Sequence, residues 1–149
     1  MKCPLSEVTL PRFAPALTGD EIQGGVVIRG LGIDLVDVAS IQAQIESIEG
    51  YLEEVFTREE IEGCRSRPNP YECFAARFAA KEALMKALGT GWTETVNFLK
   101  ISVRSDGVSP PTIELDARVF AELLLPSSLK IMLSMSHLES CACAIVILE

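Results

Sequence analysis

The sequence predicts a single domain that mixes helices with strands, and three observations predict it. The chain has 149 residues, the size of one domain burying roughly two thirds of its unfolded surface around one core. A β-branched, apolar run begins at Val26, and two further strand-like runs close the chain. Between them, Pro70 to Leu88 reads as one long helix, entered through Pro68-Asn69-Pro70 and stopped by Gly89.

In chain order, residues 1–25 form an irregular leader, because Pro4, Pro11, Pro15, Gly19 and Gly24 interrupt any apolar periodicity. The folded domain then occupies 26–149. Its first strand, from Val26 to Val38, contains two glycines and one misfit, Asp34. Ile41, Ile45, Ile48, Leu52 and Val55 carry helical spacing over Ser40 to Cys64, with Gly50 as an interruption and Thr57 as the cap of a second short helix. Beyond the long helix come a strand at Phe98 to Arg104, a turn at Asp106-Gly107, an apolar stretch at Thr112 to Leu115 and a helix from Asp116 to Leu125. Leu129 to Ser134 and Ser140 to Leu148 read as two strands, joined by a link from Met135 to Glu139.

A net charge of -8 argues against a nucleic-acid partner, which takes an excess of clustered Lys and Arg. The longest apolar stretches, such as Cys141 to Leu148, fall far short of the ~20 residues that cross a bilayer, so no membrane partner is expected. Cys3, Pro4, Ser6 and Glu7 break any signal-like apolar core, which points to a cytoplasmic protein. The 5 cysteines include no C-x-x-C pair, and buried, inert thiols are the expectation. Cys141 and Cys143 share one face of a strand, at a spacing poor for a disulfide.

Polar groups in apolar surroundings are the informative residues, because local rules fail mainly where function costs stability. At about 100° per residue, Phe74, Phe78, Met85 and Leu88 share an arc of the long helix, and Lys81 lies inside it. Arg77, one turn before Lys81, repels it unless an anion sits between them. Asp34 and Glu82 are costly carboxylates in packed elements, and a hard cation such as Mg²⁺ would suit both. The plainer alternative is that Asp34 caps a loop while Glu82 pairs with Lys86 at i+4. Gly89-Thr90-Gly91 can aim backbone N–H groups at phosphate, or serve only as a helix cap. The single histidine, His137, follows Ser134-Met135-Ser136 on the predicted link, where a structural donor is the common reading.

Taken together, Gly32-Ile33-Asp34-Leu35-Val36, Phe56-Thr57-Arg58-Glu59-Glu60, Ala76-Arg77-Phe78-Ala79-Ala80-Lys81-Glu82-Ala83, Lys86-Ala87-Leu88-Gly89-Thr90-Gly91 and Ser134-Met135-Ser136-His137 closely resemble the holo-[acyl-carrier-protein] synthases of the 4′-phosphopantetheinyl transferase superfamily. The resemblance spans Val27 to Glu149. It implies an α+β fold in which a small antiparallel sheet packs on a long helix, assembled as a homotrimer with sites at subunit interfaces. It implies transfer of the 4′-phosphopantetheine arm of coenzyme A to a serine of an apo carrier protein, with Mg²⁺ as cofactor. On this resemblance Asp34 and Glu82 hold the metal, Glu82, Lys81 and Asp34 are catalytic, and Arg77, Lys81, Lys86, Gly89, Thr90, Gly91, Ser136 and His137 contact the coenzyme.

Three departures qualify the resemblance. The first helix, arginine-bearing in the family, has no Lys or Arg between Asp37 and Val55 and carries Glu46, Glu49, Glu53 and Glu54. Gly107-Val108-Ser109-Pro110 replaces the usual G-K-P, and Leu138 follows the histidine where a small hydroxyl residue is common. The acidic helix favours an alternative, a coenzyme-A-binding or assembly subunit with weakened catalysis. A nucleotide pyrophosphatase, using water as acceptor, is a third reading.

Overall fold

The computed structural model describes residues 27–149, and the expected leader over 1–25 lies outside them. Ten elements follow in order: β1 (Gly30–Asp37), α1 (Val38–Ser47), α2 (Tyr51–Val55), α3 (Arg58–Arg65), α4 (Pro70–Leu88), β2 (Ile101–Arg104), β3 (Thr112–Leu115), α5 (Ala117–Glu122), β4 (Ile131–His137) and β5 (Cys141–Leu148). They form one α+β domain. A three-stranded antiparallel sheet has the order β1-β5-β4, and β2 and β3 pair as a separate antiparallel hairpin.

Helix α4 is the axis of the molecule. Its ends follow the local rules: Asn69 caps it by accepting from the Tyr71 amide at 3.2 Å, Pro70 opens it, and Gly89 closes it at φ 72°. It is buried nearly all round, from Phe74 to Leu88. Its C-terminal half packs with Ala144, Val146 and Leu148 of β5 and with Val96, Ile101 and Val119. Its N-terminal half packs with Val38 and Ile41 of α1, Ile61 of α3 and Phe56 from the link between α2 and α3.

Strand β1 lies directly against the α4 backbone, and the glycine and alanine content of both elements has this one cause. A Cβ on Gly32 would overlap the Ala83 carbonyl oxygen, and one on Gly30 would overlap that of Ala87. Gly32→Ala therefore forces two backbones apart, and we expect a loss of about 3 kcal/mol or more, read as a lowered thermal midpoint.

Three sequence expectations change. The strand expected at Phe98 begins only at Ile101, because Asn97 accepts from the Leu99 amide and bends Phe98–Lys100 into a 3₁₀ turn. The first part of the segment expected as a link, Met135 to His137, is the end of β4, paired residue by residue with Ala142 to Ala144 of β5. The thiols expected to be inert include a bonded pair, Cys64–Cys73, which joins α3 to α4. Its partners are nine residues apart in sequence, so no local spacing rule exposes them.

Candidate active site

Alternation along β1 turns Gly32, Asp34 and Val36 toward α4 and Leu31, Ile33 and Leu35 away from it. The Gly32 contact brings Asp34 beside the next turns of the helix. Lys86 Nζ donates to Asp34 Oδ1 at 2.8 Å and to the Ile33 carbonyl at 3.1 Å. The lysine thus meets Asp34, not Glu82 as the i+4 spacing allowed. Asp34 is mostly enclosed, with 14% of its side chain exposed, whereas that of Lys86 is 51% exposed.

Burial pushes the Glu82 carboxyl above the ordinary glutamate value, the Asp34 charge pushes it further, and Lys86 opposes both. Two carboxylates of different elements therefore feel one another's charge. Their oxygens are the hard donors that Mg²⁺ takes, and the excess negative charge is only partly met by one lysine. The donor set fits such an ion.

The raised value has a sign. An ionised Glu82 is less favourable folded than unfolded, so its contribution to stability is fully present below the unfolded value and is lost as pH rises through the folded one. Without divalent metal, Glu82→Gln should melt above the parent at neutral pH, and the gap should close in acid.

Lys81 lies elsewhere. It is fully buried, pairs with Glu60 at 2.7 Å, and donates to the Val55 and Phe98 carbonyls, both at 2.8 Å. Its ammonium also stands 5.5 Å from the centre of the Phe56 ring. Burial pulls its pKa down, and Glu60 works against that shift. All three donors are engaged inside the protein. The anion that the Arg77–Lys81 spacing called for is a carboxylate of the chain itself.

Glu60 was missed as a site-building residue, although Thr57-x-x-Glu60 is a capping-box pattern. Its side chain accepts from the Thr57 amide at 2.8 Å and from the Val103 amide at 2.8 Å while holding Lys81. It ties α3, α4 and β2 together.

Arg77 and His137 make a second group. Arg77 Nη1 donates to Cys73 Sγ at 2.7 Å and Nη2 to the Ser105 carbonyl at 3.4 Å, while its buried Nε has no partner. Burial lowers its pKa, Glu60 opposes the shift, and Arg67 adds to it. A cleft of about 510 Å³ is lined by Arg67, Glu72, Cys73, Arg77 and His137. In it His137 Nδ1 stands 3.3 Å from Glu72 Oε2, whose other oxygen accepts from Asn69 at 2.7 Å. Glu72 was not singled out, since only the tertiary fold brings it to the histidine. Ser136 points to the opposite sheet face from its neighbour His137, by strand alternation.

Arg77 and Glu82, five residues apart, project about 140° apart around α4. Asp34 and Glu82 with Lys86, and Arg77 with His137, are therefore two separate groups around one helix. At the helix exit Thr90 donates its amide to the Met85 carbonyl and its hydroxyl to the Gly91 carbonyl, so Gly89-Thr90-Gly91 forms a cap, with Gly91 at φ 61°.

A single α+β domain in which a three-stranded antiparallel sheet packs on one long central helix is the architecture of this chain, and the sequence profile of the 4′-phosphopantetheinyl transferase superfamily matches residues 30–146. The chain belongs to that superfamily. It is 41% identical over 125 residues to the holo-[acyl-carrier-protein] synthase of Halothermothrix orenii, covering 83% of this chain and 98% of that protein. The crystal structure of a holo-(acyl-carrier-protein) synthase from Bacillus anthracis in complex with CoA (3′,5′-ADP) superposes with a TM-score of 0.68 at 32% identity, over 82% of this chain and 96% of that one. The Helicobacter pylori enzyme in complex with coenzyme A gives a TM-score of 0.69 at 28% identity, over 80% and 99% of the two chains.

Proposed function

We propose that this protein is a Mg²⁺-dependent holo-[acyl-carrier-protein] synthase that transfers the 4′-phosphopantetheine moiety of coenzyme A to a serine of an apo acyl or peptidyl carrier protein, releasing adenosine 3′,5′-bisphosphate. The observation that carries the reading is that Lys86 pairs with Asp34 of another element while the Asp34 charge raises the Glu82 carboxyl, in a chain this similar to named synthases. The folded domain over 26–149 is the catalytic unit.

Asp34 and Glu82 would hold the metal. Bound there, Mg²⁺ supplies positive charge against the charge that develops on the pyrophosphate as the bisphosphate leaves. Lys86, partly exposed on the same helix face, turns from Asp34 toward a phosphate oxygen. Glu82 accepts the proton of the carrier serine hydroxyl at a carboxylate oxygen. Arg77 and His137, which line one cleft, grip the coenzyme's phosphates. Lys81 supports this site by fixing α4 rather than by touching phosphate.

The two separate groups around α4 favour a homotrimer with each site completed by a neighbour. Leu31, Ile33, Leu35, Met132 and Ile145 form an exposed apolar sheet face that such an assembly covers. Ile33→Asp, on this face and away from α4, should yield monomers by light scattering and abolish transfer; a trimer that survives it argues against this interface. The enzyme would work in the cytoplasm; among the described residues no helix is long and apolar enough to cross a membrane.

Incubating the protein with coenzyme A, Mg²⁺ and a panel of apo carriers should add one phosphopantetheine arm to a carrier serine, seen as a mass increase. Tight coenzyme binding without turnover on any carrier would instead favour the binding-subunit reading.

A further inference from the structure

Cys64, at the end of α3, is fully enclosed, whereas Cys73, in the first turns of α4, lines the cleft with Arg77, Glu72 and His137. Their Cα atoms are 5.4 Å apart, inside the range a disulfide spans. Arg77 donates to the Cys73 sulfur at 2.7 Å, and the same guanidinium carries the unpartnered buried Nε. Three features of a reactive pair coincide: a sulfur reachable from a cleft, a cation that favours its thiolate, and a second cysteine placed to resolve it. Disulfides in reducing compartments are uncommon, and those present are mostly transient or redox-sensing.

We propose that Cys64 and Cys73 are a redox-modification site: a dithiol that closes by exchange with a low-molecular-weight disulfide, and whose state sets how tightly Arg77 holds a phosphate-bearing ligand. The coupling to a phosphate ligand rests on the coenzyme reading given above. In closure, the Cys73 thiolate attacks one sulfur of the small disulfide and expels a thiolate. Cys64 gives its proton to solvent and attacks the Cys73 sulfur, breaking the mixed disulfide and expelling the second thiolate. Two protein thiols are oxidised, one small disulfide is reduced to two thiols, and the protons that leave the cysteines end on the released thiolates. A small thiol reverses both steps.

Closed, the bridge offers Arg77 only a neutral sulfur, so the guanidinium charge serves the ligand. Open, the Cys73 thiolate pairs with that guanidinium and competes with phosphate.

The full chain is equilibrated with reduced and oxidised glutathione at stepped ratios, trapped with an alkylating agent, digested and mapped by mass spectrometry. Calorimetry then measures adenosine 3′,5′-bisphosphate, which carries no thiol to reduce the bridge. We expect a linked Cys64–Cys73 peptide to appear as the ratio becomes oxidising, and the oxidised form to bind the bisphosphate about five- to tenfold tighter. Cys73→Ser should lose both the linkage and the redox dependence. Because the main comparison is between two redox states of the unsubstituted chain, poor folding of the variant does not blunt it. Absence of the linked peptide at every ratio, or equal affinity in both states, overturns the inference. Transfer activity without a bridge sinks this inference alone, whereas a bridge with bisphosphate binding in neither state sinks the coupling together with the coenzyme reading.

Discussion

Glu82→Gln is expected to lower transfer by about 10³-fold or more, because it weakens the hold on the cation that would stabilise the departing bisphosphate and removes the acceptor for the serine proton. Asp34→Asn should have an effect of the same order, since it halves the carboxylate charge while keeping side-chain volume. Neither change disturbs a core contact, so both variants should fold. Glu82→Gln should gain stability in the absence of metal, since the parent holds a carboxylate against burial and against Asp34. Steady-state turnover across a Mg²⁺ titration, beside thermal melts with a chelator, measures both effects. Turnover near the parent rate in either variant would refute the assignment, and lost turnover with a lowered melting point would reduce it to a folding defect.

The second large effect is structural. Glu60→Gln leaves the Lys81 ammonium, fully buried, without its counter-ion, and breaking such a pair costs about 3–5 kcal/mol. For a domain of this size that lowers the melting midpoint by about 10–20 °C. Lys81→Met should cost less, because the Glu60 carboxylate keeps the Thr57 and Val103 amides as donors. Its KM for coenzyme A should stay close to the parent's, which distinguishes a helix-fixing lysine from one that touches phosphate. The double variant Glu60→Gln with Lys81→Met should recover much of the loss, measured as a thermodynamic cycle.

The elements were largely legible because their signals are local. Asn69 with Pro70 and Gly89 announces both ends of α4, and Thr57 with Glu60 announces the start of α3, each through bonds that reach no further than one turn. Misreadings arose where one particular hydrogen-bond partner overrode the residue pattern. Phe98 looks like strand, yet the Asn97 side chain accepts from the Leu99 amide and turns the segment. Met135 to His137 looks like loop, yet β5 offers it a complete ladder. The buried lysine was recognised as a misfit, and the need for an anion followed correctly; which anion did not, since a carboxylate of the chain and a phosphate of a ligand satisfy an ammonium equally well in a linear reading.

By itself, the sequence determined the α+β class, the long capped helix and the two acidic residues out of place in packed elements, because backbone capping and side-chain periodicity are encoded within a few positions. Only the tertiary structure decided that Lys86 meets Asp34, that Lys81 pairs with Glu60, that Cys64 bonds to Cys73, and that His137 stands beside Glu72. Those outcomes depend on how closely β1 approaches α4 and on which charges end up within a few ångströms of each other. Coulomb energies and desolvation act through space, and sequence separation does not record that distance.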